Sequence, residues 1–369
     1  MEMYMTIDSE FLNFNNKATA KGKNPLFFGE DLGVFDAFNN PYPELTILDQ
    51  KQRSLFWPSD EFSLAQSAID MKEADPNVVE LMVRNLSFQM AADSLASGSL
   101  QELLFPILTN HQAKKLISYH GDAEAVHEEA YALIVAQCFS DPNKMYERVN
   151  NDANLLKRLA PIGKAFKAYK QTVLLDESST LSDKRKATIK LLVSFVALEG
   201  IMFLASFMAT FALADSTGKF NGIAKRVGLI HNDEAGCHLE NMLAFLNIII
   251  KKEKWSEWKE MKDEVKLILD TAVKSEQEWS DNLFVGCGSV VGFNSDVLKD
   301  YVYHLAGNVY QRLGIKFDFP KVKSSPKWLE SYINPNLVQS APQEVQLGNY
   351  LTAAVNSDVE EDMMFDVDL

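Results

Sequence analysis

The sequence predicts an all-α fold, a bundle of long helices. Three observations carry that expectation. Apolar residues recur at the 3.6-residue helical period over most of the chain, as in Asn77-Val-Val-Glu-Leu-Met-Val-Arg-Asn-Leu. No alternating apolar–polar run of strand length occurs. The stretch Leu191 to Ala214 is apolar on all sides, as suits the central helix of a large bundle. With 369 residues, 47% of them hydrophobic, the chain has ample material for one substantial core.

Residues 1–50 are rich in Asn, Pro and Gly and read as an irregular arm with at most a short helix. A helical pattern from Leu45 ends before Pro58, and residues 60–75 form a polar linker with a short amphipathic piece. A long helix is expected from Pro76 to Ser97, broken at Gly98, then another from Ser99 to Leu108, kinked at Pro106. Next comes Asn110–Phe139. Two charged, peripheral helices should fill 143–182. The apolar helix Ser182–Asp215 follows, then one reaching Lys252, an amphipathic helix over 255–283 and a last one over 295–313. From Asn334 the pattern breaks. The division expected is therefore an arm (1–50), a helical domain (51–333) and a flexible tail (334–369).

Bulk properties exclude several classes. A formal charge of −15 argues against a nucleic-acid binder, which needs a basic footprint. Three scattered cysteines, Cys138, Cys237 and Cys287, form no paired metal spacing and fit a reducing, cytoplasmic setting. The N-terminus has neither the basic region nor the apolar run of a secretory signal. The apolar stretch is long enough to cross a bilayer, but Glu199 lies in its middle, where a charge in lipid is costly, and no second span accompanies it. It is read as a buried helix whose one carboxylate needs a partner such as a metal ion.

The chemistry centres on Glu124-Ala-Val-His127-Glu-Glu-Ala-Tyr131. At i, i+3 and i+7 the carboxylate, imidazole and phenol share one helical stripe. Glu128 and Glu129 point off it. Glu-x-x-His is the half-site of carboxylate-bridged di-metal bundles, which use two such motifs and a carboxylate from each of two further helices. Asp93, Glu199, and Glu234 with His238 supply that complement. Oxygen-rich ligation with one imidazole per ion suits iron or manganese, and Tyr131 is the phenol such a pair could oxidise.

These residues, together with Asn24-Pro-Leu-Phe-Phe-Gly, Phe56-Trp57, Ala197-Leu-Glu199-Gly-Ile-x-Phe203, Asp233-Glu234-Ala and Ala341-Pro-Gln-Glu344-Val-x-x-x-x-Tyr350, make the chain resemble the small, radical-generating subunit of class I ribonucleotide reductase, of the aerobic enterobacterial type. The likeness runs from about Asn24 to the C-terminus. It implies a ferritin-like bundle holding two iron ions, or manganese. Asp93, Glu124 and His127 would hold one ion; Glu199, Glu234 and His238 would hold the other, with Glu124 and Glu234 bridging. Tyr131 would store the radical in an apolar pocket of Phe203, Phe207 and Ile230. Trp57 and Asp233 would form the inner relay. Glu344 and Tyr350 would continue it along a tail whose acidic end, studded with apolar residues, docks on the large catalytic subunit. The activity implied is ribonucleoside-diphosphate reductase, and the assembly a homodimer.

Two positions depart from the pattern. The second half-site reads Glu234-Ala-Gly-Cys-His238, one residue longer than Glu-x-x-His, and a π-bulge is the expected way to absorb the extra residue. Asn232 stands where a basic residue is expected. The alternatives are a di-iron monooxygenase or desaturase, which would need neither Tyr131 nor the tail; an iron store, whose chains are shorter; and a metal-free helical interaction protein, which leaves Glu199 unexplained.

Overall fold

The computed structural model describes residues 12–18, 21–322 and 324–333. Among these there is no β-strand beyond the isolated bridges Phe27–Leu108 and Val290–Phe293. The α-helices are α1 (Pro43–Ser54), α2 (Ala65–Glu73), α3 (Pro76–Leu104), α4 (His111–Cys138), α5 (Pro142–Asn151), α6 (Ala153–Tyr169), α7 (Leu181–Ala197), α8 (Leu204–Thr217), α9 (Asn221–Asp233), α10 (Leu239–Asn247), α11 (Glu257–Glu260), α12 (Lys262–Phe284), α13 (Ser295–Leu313) and α14 (Glu330–Ile333). Their starts follow from local chemistry. Asp75, Asn110, Asp141, Asp152 and Asn294 each accept a backbone N–H of the first turn, and Thr180 with Asp183 forms a capping box. α8 and α13 end at Gly218 and Gly314, both at positive φ, where a side chain would be strained.

Helices α3, α4, α7–α8 and α9–α10 form the inner bundle, with α3 against α4 and α8, and α7 against α10. α1 lies across α4, while α6, α12 and α13 cover the far side. Leu181–Thr217, long and apolar enough to cross a membrane, is wrapped by protein over its apolar window. Phe195, Phe203, Phe207 and Phe211 on it are fully buried.

Three helix boundaries differ from expectation. α3 runs straight through Gly98, which sits on the solvent side. A glycine there costs about 1 kcal/mol relative to alanine, less than burying Ala96, Leu100, Leu103 and Leu104 around it yields. Pro106 follows the end of α3 and kinks nothing. The division placed at residue 50 falls inside α1. The pair α5 and α6 is also less peripheral than its charge suggests, because α6 carries the buried Arg158.

Three π-helical turns interrupt the inner helices: Leu198–Phe203 joins α7 to α8, Glu234–His238 joins α9 to α10, and Ile248–Lys252 ends α10. The first two carry the polar residues described next.

Candidate metal centre

Asp93 from α3, Glu124 and His127 from α4, Glu199 from the first π turn, and Glu234 and His238 from the second are all wholly buried. Two of the elements that present them are widened turns, frequent at functional sites. The turn Glu234–His238 accommodates the extra residue and keeps both side chains inward, with His238 Nδ1 3.1 Å from Glu234 Oε2. Lys51 Nζ donates to the carbonyl of Gly236 in that turn at 2.6 Å.

His127 Nδ1 faces Glu234 Oε1 at 3.1 Å, Asp93 Oδ1 at 3.3 Å and Glu124 Oε2 at 3.9 Å. His238 Nδ1 lies 3.3 Å from Glu124 Oε1. Glu124 and Glu234 thus each face both imidazoles. Glu199 joins through Glu124, with ligand atoms of the two within 4.8 Å. Many of these atoms, including both oxygens of Asp93 and of Glu199, have no hydrogen-bond partner. Buried acceptors left this way are costly. Convergent unpaired oxygens and imidazole nitrogens are what a cation would satisfy, so the donor set fits divalent metal ions.

The electrostatics agree. Burial, together with the neighbouring carboxylates, pushes Asp93 and Glu199 well above the usual carboxyl range. Burial and the charge of Glu234 work against ionising Glu124, yet hydrogen bonds from His120 and His238 outweigh them and hold it at about 2. Burial likewise opposes charge on His238, but Glu234 and Glu124 outweigh it and raise the imidazole to about 10. Without metal, the site therefore favours protons on Asp93, Glu199 and His238 and the charged form of Glu124.

His127 turns its other nitrogen outward. Nε2 lies 3.1 Å from Asp233 Oδ2, which also accepts Trp57 Nε1–H at 2.7 Å. The Trp57 and His127 rings stack with centroids 5.9 Å apart and 20° between planes. Tyr131 is buried one turn beyond His127, its hydroxyl without a hydrogen-bond partner. Burial, aided by the nearby carboxyl groups of Asp93 and Glu234, raises its pKa well above the ordinary value. Phe203 and Phe207 stack at 5.5 Å and, with Ile230, are fully buried. Glu344 and Tyr350 lie outside the described residues.

One residue of the cluster escaped the sequence reading. His120, one turn before Glu124, is wholly buried with Nε2 3.2 Å from Glu124 Oε1. The same i, i+4 stripe read backwards from Glu124 would have found it.

Comparison with known proteins places this arrangement. The chain is 26% identical over 367 residues to the ribonucleoside-diphosphate reductase subunit beta of Buchnera aphidicola (subsp. Schizaphis graminum), covering 95% of this chain and 97% of that one. It is 26% identical over 370 residues to subunit beta of ribonucleoside-diphosphate reductase 1 of Escherichia coli O157:H7, covering 95% and 98%. Among solved structures it superposes on a ribonucleotide reductase R2 subunit from Clostridium botulinum with a TM-score of 0.73 at 18% identity, covering 84% of this chain and 93% of that one. The dimanganese(II)-NrdF of Streptococcus sanguinis gives 0.65 at 17% identity, covering 82% and 100%. The fold is the ferritin-like bundle of such subunits. Nothing among these relatives favours the monooxygenase or desaturase reading. Residues 34–326, most of the chain, match the family described as ribonucleotide reductase, small chain, and to that family the protein belongs.

Proposed function

We propose that this small chain stores an oxidising equivalent on Tyr131 and passes it to the large subunit, where ribonucleotide reduction begins. The observation that carries the reading is the phenol's placement, buried on the stripe of Glu124 and His127 with its hydroxyl unpaired. Asp93, Glu124 and His127 would hold one ion and Glu199, Glu234 and His238 the other, with Glu124 and Glu234 between them. Iron is our first choice of metal and manganese the second. When bound, the pair supplies, with dioxygen, the oxidising power to take one electron and one proton from the phenol.

The chain's own residues set the conditions for that loss. Its raised pKa keeps Tyr131 a neutral phenol until it is oxidised. Phe203, Phe207 and Ile230 would keep water and proton donors from the radical. With metal bound, Asp233 would accept from His127 Nε2–H and hold the tautomer whose Nδ1 lone pair is free for the ion. The same carboxylate holds the Trp57 indole proton, so electron and proton movement can be coupled along Trp57, Asp233 and His127. From Trp57 the path would continue through Glu344 and Tyr350 on the tail, residues 334–369. The tail's acidic and apolar mix suits a segment that orders on a partner. We place the protein, as a homodimer, in the cytoplasm, without nucleic-acid or membrane association; its three free cysteines fit that setting.

The test is Tyr131→Phe. It should keep two ions per chain and the wild-type fold while losing the tyrosyl electron paramagnetic resonance signal and all turnover with the large subunit. Normal reductase activity in that variant would refute the reading. Deleting residues 350–369 should leave the radical intact and abolish turnover.

A further inference from the structure

Three of the chain's six histidines meet in one buried cluster. The third, His120, has no part in the six-ligand scheme above. Its ring stacks on His238 with centroids 3.7 Å apart and 25° between planes. Glu124 Oε1 is therefore faced by two imidazole nitrogens, His120 Nε2 at 3.2 Å and His238 Nδ1 at 3.3 Å. Ligand atoms of His120, Glu124 and Glu199 lie within 4.8 Å of one another.

These separations suit one coordination sphere. With metal–ligand bonds of about 2.0–2.2 Å, adjacent ligand atoms stand about 3 Å apart and opposite ones about 4 Å. A role as hydrogen-bond donor to Glu124 alone would do nothing for the buried Glu199 carboxyl in the same group. A shared ion would satisfy the nitrogen and both carboxylates together. We propose that His120 is a seventh protein ligand, binding through Nε2 the ion held by Glu199 and His238. The inference rests on the two-ion reading above and refines it. One ion then has two imidazoles and the other, at His127, has one, so the two sites differ in affinity.

The test uses full-length protein stripped of metal and titrated with Mn(II), with equilibrium dialysis for stoichiometry. Electron–nuclear double resonance on protein carrying ¹⁵N-histidine counts the bound imidazoles. Wild type should bind two ions and show three coupled imidazoles. His120→Ala should weaken one ion by about tenfold or more, leave the other unchanged and show two imidazoles. His120→Gln, which retains a hydrogen-bond donor and fills the space, should show the same loss; circular dichroism checks that both variants fold. Two ions but only two imidazoles in wild type, or full affinity in either variant, would overturn the role of His120 and leave the two-ion reading standing. Failure of wild type to bind a second ion would overturn both.

Discussion

Trp57 and Asp233 are joined by a 2.7 Å hydrogen bond from the indole Nε1–H to Oδ2, the same oxygen that lies 3.1 Å from His127 Nε2. Two donors from different elements converge on one carboxylate oxygen, and His127 continues the line to Glu234 Oε1, 3.1 Å from its Nδ1. A buried indole is thereby tied to the carboxylate–imidazole cluster, on which it also stacks through the His127 ring.

Asp233→Asn should separate radical storage from radical transfer. The amide keeps the shape and an accepting oxygen, but it is neutral and cannot take up a proton. Asp233 is not among the carboxyl groups that act on Tyr131, so the radical signal should survive. Turnover with the large subunit should fall by about 10²-fold or more, the scale of a misplaced proton-transfer group. Spin quantification beside a reductase assay on the same sample checks this. Loss of both together would make Asp233 a support of the metal site only.

Metal uptake should release protons, and its sign follows from the site. Burial and the neighbouring carboxylates raise Asp93 and Glu199 well above the usual carboxyl range. Burial disfavours charge on His127, but the carboxyl groups of Asp233, Asp93 and Glu234 that face its ring nitrogens outweigh it, as Glu234 and Glu124 do for His238, raised to about 10. All four shifts favour the protonated form, so the binding of divalent ions should release protons. Calorimetric titration with Mn(II) in buffers of different ionisation enthalpy counts them. Uptake with no proton release would contradict this charge arrangement.

The same shifts set the pH dependence of the metal-free protein. The contribution of His238 is complete below its ordinary value of 6.5 and is lost as pH rises toward about 10. Asp93 and Glu199, raised from 3.8 and 4.5, bind protons more tightly when folded, so they too make folding less favourable as pH climbs. Metal-free protein should melt at a lower temperature near pH 9 than near pH 7. Metal-loaded protein, whose ligands have already lost those protons, should not show that drop.

How much of this was legible depends on distance along the chain. Glu124, His127 and Tyr131 were readable because one helix sets their spacing, and α13 because Asn294 caps it and Gly314 stops it. Gly98 misled because a local propensity of about 1 kcal/mol says nothing of the packing around it. His120 was passed over because the motif was read forward from Glu124, and a histidine on an apolar face is more often plain core. The pairing of His127 with Asp233, 106 residues away, has no local signal at all; only a family likeness could suggest it.

Lys51 is a support that no motif marks. Its Nζ donates to the Gly236 carbonyl inside the π turn of Glu234 and His238. A widened turn disturbs the regular backbone ladder, and this donor satisfies one of the carbonyls involved. Lys51→Met should destabilise the protein by about 0.5–1.5 kcal/mol in denaturant titration, with two ions still bound. A loss of stoichiometry would mean that the lysine also sets the ligand geometry.

The largest stability effect away from the metal centre is expected at Arg158. Its guanidinium donates to Glu276 from Nε at 2.7 Å and from Nη2 at 2.6 Å, both side chains being almost fully buried. Its central carbon lies 3.2 Å from the Phe88 ring centroid and 3.6 Å from that of Trp279. Removing one member strands the other charge in the core, which costs about 3–5 kcal/mol, whereas replacing both with apolar residues of similar volume is often neutral. Arg158→Met should therefore destabilise strongly. The double variant Arg158→Met, Glu276→Leu should recover most of the loss, although the stacked rings lose their cation. Chemical denaturation of the metal-free single and double variants measures this coupling directly. Strict additivity of the two substitutions would mean that the pair contributes through packing alone.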